Sequence, residues 1–208
     1  NLPRASENEF AKNYLLKRKL DPDKFYYADQ FMTWANTQKK TFDNIVKDEP
    51  RIIIPMYDEH KNLIGFQGRA LKSSSTKYIT VMLDEQAPKV YGLESINKEL
   101  PIYVVEGPFD STFVNNSVAL CGSDGDLGYF EGSNFVLVYD NEPRNREIVA
   151  RIERCIERNQ NVIIWPNGIV EKDINDMVLS GHDVMTMLKS NTYSGLEAKI
   201  KFNNWKKI

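Results

Sequence analysis

Three short apolar runs in the second half of the chain each lead into acids. "IYVV" meets Glu106, "FVLVY" meets Asp140 with Glu142 two residues on, and "VIIW" precedes the loop "PNGIVEKDIND", which carries Glu171, Asp173 and Asp176. Between them lie "FDSTFVNN", "SVALCG" and the amphipathic "REIVARIERCIERN", with Ile148, Ile152, Cys155 and Ile156 along one stripe. Continuous apolar strands separated by helices are the pattern of a parallel sheet covered on both faces. The fold class predicted from residue 101 onwards is therefore α/β, with a mostly parallel sheet flanked by helices. Ligands of such sheets bind beyond the carboxyl ends of the strands. Three strand ends thus send acids towards one edge.

Crowded carboxylates repel one another, and desolvation adds to the cost. A hard divalent cation relieves both, and ligation by carboxylates, water and phosphate oxygens is the habit of Mg²⁺. Gly107 allows a sharp turn after Glu106, and Pro108 is preset for the first turn of a helix. Asp110, four residues past Glu106, also suits the amino-terminal turn of that helix. On residue grounds alone, an acid at one strand end is ordinarily a turn or capping residue. The combination across several strand ends points to a metal site.

The first half reads differently. Residues 5–19 form a predicted helix, with Ser6 and Glu9 at capping-box spacing. The aromatic stretch "FYYADQFMTWAN" predicts a packed cluster. "RIIIPMY" and "LIGFQGRA", joined by a polar turn, form a predicted hairpin in which Pro55 marks an edge or a bulge. "KYITVML" is a further strand. Arg51, Arg69, Lys72, Lys77 and Lys89 lie among these strands, and glycines either side of Phe66-Gln67 allow close backbone approach. Such cations are ordinarily a solvated face; beside an acidic metal pocket they suit phosphate, with Arg69 able to grip it bidentately.

Cys121 and Cys155 are far apart and form no C-x-x-C pair, which argues against a disulfide framework and a cysteine zinc site and fits a reducing, cytoplasmic setting. No apolar run approaches the ~20 residues of a membrane span. The 27 basic and 29 acidic residues nearly cancel, so net charge does not discriminate among functions. The chain starts at Asn1, as a processed product or fragment of something longer would.

"VVEGPFD", "CGS", "VLVYDNE" and "KDIND" together resemble the Toprim fold of DnaG-type primases, topoisomerases and certain nucleases. Upstream, "FQGRAL", "KYIT" and "YGLE" are similar to the small basic α+β subdomain that precedes Toprim in those primases, and in detail the chain resembles the T-even phage type. The resemblance spans nearly the whole chain. It implies a helical, aromatic segment over 1–50, a basic RNA-polymerase-type subdomain over 51–100, a Toprim domain over 101–190 and a helical tail over 191–208. It implies Glu106, Asp140 and Glu142 as catalytic residues, and these with Asp173 as ligands of Mg²⁺ or Mn²⁺. Glu142 departs from the family's second aspartate and lengthens that arm by one carbon. Asp110 and Asp176 are implied as supporting acids, and Arg51, Arg69, Lys77, Lys89 and Lys172 as nucleotide or template contacts. The implied activity is synthesis of short RNA primers from ribonucleoside triphosphates on single-stranded DNA, with a replicative helicase as partner. The zinc of such proteins belongs to an upstream module that these residues do not include. A Toprim nuclease and a non-catalytic replication adaptor are the alternatives.

Overall fold

In a computed structural model, residues 2–72, 76–122, 127–130 and 132–208 are described. They divide into two compact units, one of the described residues up to 94 with 121–122, the other of those in 95–120 and 127–208.

The first unit is built on four antiparallel strands in chain order, β1 (Tyr26–Ala28), β2 (Arg51–Tyr57), β3 (Leu63–Ala70) and β4 (Tyr78–Met82). Residues 1–50 and the hairpin strands therefore share one body. Pro55 lies past the last β1–β2 pair, Tyr26–Ile53, so the missing N–H interrupts no pairing to β1. A register shift between Met56 and Tyr57 follows it. Two helices accompany this sheet, α1 (Glu9–Leu16) and α2 (Phe31–Gln38). The cap of α1 is Asn8, whose side chain accepts from the Ala11 N–H at 3.0 Å, and not the predicted Ser6–Glu9 pair. Ser6 instead sits in a 3-10 turn over Ala5–Glu7, which ends where Asn8 begins the α-helix. The aromatic stretch does pack: Phe25 and Phe31 are buried, and Trp34 lies against Phe66 at 4.7 Å between ring centroids. A two-residue strand, β5 (Val90–Tyr91), comes late in the unit.

The second unit contains β6 (Ile102–Val105), β7 (Ser117–Leu120), β8 (Phe135–Val138), β9 (Asn161–Ile163) and β10 (Thr192–Tyr193). They lie in the order β10-β9-β8-β6-β7, parallel throughout except for β10, which runs against β9. Val104, Val118, Leu137 and Val162 are all buried, as strands covered on both faces require. Helix α3 (Pro108–Ser111) follows β6, and α4 (Arg146–Glu157) follows β8. Asn145 caps α4 through the Glu147 and Ile148 N–H groups, and Ile148, Val149, Ile152 and Cys155 form its buried face. Then come α5 (Ile174–Leu179), α6 (Val184–Ser190) and α7 (Gly195–Trp205). Residues 191–208 thus supply an edge strand and a helix that lies against α4. Among the described residues no helix is long and apolar enough to cross a membrane.

Candidate metal and nucleotide centre

The turns beyond β6 and β8 are set by short local bonds. Gly107 is extended, at φ −129°, a conformation open to any residue, so the turn after Glu106 does not draw on the freedom of a glycine. Pro108 starts α3 as its fixed φ favours. Asp110, in that helix, accepts the Asn175 N–H of α5 at 3.0 Å and so ties the two helices together. Asp173 caps α5, accepting the Asp176 N–H at 2.8 Å.

Four carboxylates line one small pocket at the carboxyl edge of the sheet: Glu106, Asp110, Asp140 and Asp173, with Tyr139 and Trp165 among its walls. Glu106 Oε2 accepts the Asp140 N–H at 3.0 Å, which draws the ends of β6 and β8 together. Its other oxygen takes Arg151 of α4 at 3.3 Å. Burial, reinforced by Glu106, Asp110 and Asp173, pushes Asp140 up to about 8, with Lys172 opposing the shift. The Lys172 ammonium stands 3.2 Å from Glu142 and 3.9 Å from Asp140. Those contacts hold its own pKa above the ordinary value, against the opposing effect of partial burial.

Glu142 and Asp176 do not line this pocket. Glu142 pairs with Lys172, and Asp176 is exposed on the first turn of α5. Among the described residues, no group of three His, Cys, Asp or Glu side chains is arranged to hold a metal ion. The donor chemistry nonetheless suits a hard cation: all-oxygen, anionic, crowded, and balanced by one flexible ammonium that a divalent ion could replace. The acids are gathered but not set as ligands.

The basic residues divide. Arg51 is 1% exposed, its guanidinium paired with Glu49 and donating to the Gly68 and Thr76 carbonyls at 2.8 and 3.0 Å. It braces the antiparallel sheet from inside. Arg69 is also buried, donating to the Tyr14 hydroxyl at 3.2 Å and lying over the Tyr78 ring. Lys77 lies near the same ring, 5.9 Å from its centroid. Lys89 lines an open groove of the first unit with Lys39, Lys40, Thr80 and Glu85. The glycines around Phe66-Gln67 admit protein, not phosphate: a Cβ on Gly68 would fall 2.4 Å from the Phe31 ring, and one on Gly65 2.7 Å from the Val81 carbonyl. Of the "CGS" motif, Ser123 lies outside the described residues.

Lys39, Lys40 and Arg151 were missed in the sequence. The Lys39-Lys40 pair in "TQKKT" was a visible signal. Arg151 gave no such signal, since its spacing to Glu147 is that of an ordinary i,i+4 pair, which it forms at 2.6 Å.

No family model matches the chain. The fold is that of a DnaG-type primase catalytic core. A solved DnaG catalytic core matches 98% of this chain and 79% of its own, at TM-score 0.70 and 18% identity. A DnaG primase catalytic domain bound to ssDNA matches 88% of this chain and 74% of its own, at TM-score 0.62 and 17% identity. In sequence the chain is similar, from end to end, to the DNA primase of Enterobacteria phage T4, at 32% identity over 217 residues. It spans 63% of that relative's length.

Proposed function

We propose that this chain is the RNA-synthesising core of a phage-type DNA primase, joining ribonucleotides into short primers on a single-stranded DNA template. The observation that carries this reading is the meeting of Glu106, Asp110, Asp140 and Asp173 in one pocket at the carboxyl edge of a primase-type fold. Glu106 and Asp140 are the central pair for a divalent cation, Mg²⁺ or Mn²⁺, with Asp173 and Glu142 flanking them. When bound, such a cation supplies positive charge to triphosphate oxygens and acidity to a 3′-hydroxyl.

The chain's own residues do the rest. Arg151 fixes one Glu106 oxygen and the Asp140 N–H fixes the other, so this carboxylate has little freedom to swing. Lys172 pairs with Glu142 in the free protein, 3.9 Å from Asp140, and is the group placed to move onto phosphate once Glu142 is otherwise compensated. Asp110 positions α5, and Asp176 takes no direct part. Lys77 and Lys89 serve the template or triphosphate; Arg69 assists from a buried position, and Arg51 serves as scaffold. A replicative helicase and the host cytoplasm complete the proposed setting.

Incubation with labelled single-stranded DNA, ribonucleotides and Mg²⁺ tests this. Elongated RNA is the expected product, and shortened DNA would establish the nuclease instead. Asp140→Ala is expected to reduce synthesis about 100-fold or more, with circular dichroism unchanged. A variant that makes dinucleotide at the parental rate removes Asp140 from the centre.

A further inference from the structure

The turn that carries Asp140 and Glu142 is held from three sides. The Trp165 indole donates to the Tyr139 carbonyl at 2.8 Å. The Trp205 indole, from the last turn of α7, donates to Asn141 Oδ1 at 2.9 Å. The Lys207 N–H, just past α7, donates to the Pro143 carbonyl at 2.9 Å. Asn141 in turn reaches across to the loop that carries Lys172 and Asp173. Its amide nitrogen donates to the Ile169 and Glu171 carbonyls, both at 3.0 Å, and its backbone N–H donates to the Lys172 carbonyl at 2.7 Å.

Every hydrogen of the Asn141 amide is thereby used, and its oxygen is held by a tryptophan that is 4% exposed. Nothing about this residue is needed to close the sheet, since β8 ends at Val138. Its bonds instead set the separation of two acid-bearing segments that are remote in sequence, 140–142 and 171–173. Where a carboxylate set is not preassembled, the spacing of its backbone supports governs how readily it can close on a cation.

We infer that Asn141 and Trp205 are positioning residues of the proposed centre: a latch through which α7 sets the spacing between the Asp140–Glu142 turn and the Lys172–Asp173 loop. The latch rests on the proposed function only for its consequence, cation affinity, and not for its existence. The carboxy-terminal helix is then part of the centre's architecture, though it offers no ligand.

Trp205→Phe removes the indole N–H and leaves a ring to fill the site. Two readouts are needed. Hydrogen exchange at the Asn141 amide reports the latch itself, and faster exchange is expected in the variant while amides of β6 and β8 keep their protection. Calorimetric titration with Mn²⁺ reports the consequence, with binding expected to weaken about 10-fold. Phe202→Leu, a core change in the same helix with no bond to Asn141, controls for loosening of α7. Unchanged Asn141 exchange in Trp205→Phe overturns the latch. Equal weakening of Mn²⁺ binding by Phe202→Leu at matched stability overturns the positioning role. Should the parent bind no Mn²⁺ and make no primers, the proposed function has failed, and exchange alone decides the latch.

Discussion

Asp140 is the residue where the sheet's geometry is most costly. Its side chain is 23% exposed, and burial together with Glu106, Asp110 and Asp173 raises it from 3.8 to about 8. Between those two values the folded chain keeps a proton that the unfolded chain has lost. Stability therefore falls as pH rises through that window. Asp140→Asn, neutral at every pH, is expected to match the parent near pH 4 and to exceed it near pH 8.5 in metal-free buffer. Lys172 and solvent at the pocket mouth reduce the effect, leaving a gain on the order of 1–3 kcal/mol. Thermal melts at the two pH values check this, and a difference that does not vary with pH would contradict the assignment. The same repulsion predicts that Mg²⁺ stabilises the parent more than Asp140→Asn.

Among elements, β3 shows how far a sequence can be read and where reading stops. Its limits, its hairpin partner and its neighbour β4 all follow from apolar runs and a polar turn, and the strand–helix alternation after residue 101 follows equally from local pattern. The edge at which the acids gather was legible too, because strand ends of a parallel sheet point one way. Side-chain direction was not legible. Arg51 and Arg69 belong to a strand pair that is buried over most of its length, where Arg51 bonds to Glu49 and two carbonyls and Arg69 to Tyr14. Gly68 suggested an approaching ligand, yet the approaching group is Phe31 from α2, and only a contact between distant segments could reveal it. Asn141 and Trp205 were silent for the same reason, being 64 residues apart. Gly68→Ala should therefore destabilise the first unit by about 1–3 kcal/mol through overpacking, read as a lower urea midpoint. A variant that loses DNA affinity at unchanged stability would instead restore the phosphate reading.

On the scale of the whole molecule, 27 basic residues against 29 acidic give a net charge of −2, so the total charge supplies no attraction for a polyanion. Under the proposed function, single-stranded DNA would be held by local groups, and the first unit offers them in the groove of Lys39, Lys40 and Lys89. Lys39 is already bonded to Glu85 at 2.7 Å and to the Met82 carbonyl at 2.8 Å, and Lys40 to the Phe42 carbonyl at 2.9 Å and to Asp43 at 3.5 Å, so Lys89 is the stronger candidate for phosphate. Each phosphate contact made by a lysine releases counterions, and for single strands it contributes about −0.7 to the slope of log affinity against log salt. A chain that depends on a handful of such contacts is expected to lose DNA affinity steeply between low and physiological salt. Lys89→Ala is expected to weaken binding by a similar factor for every template sequence and to reduce the slope magnitude by about 0.7. Fluorescence anisotropy across a salt series measures both quantities. A slope that stays at the parental value in Lys89→Ala would move the template off this groove, while leaving the carboxylate pocket of the second unit untouched.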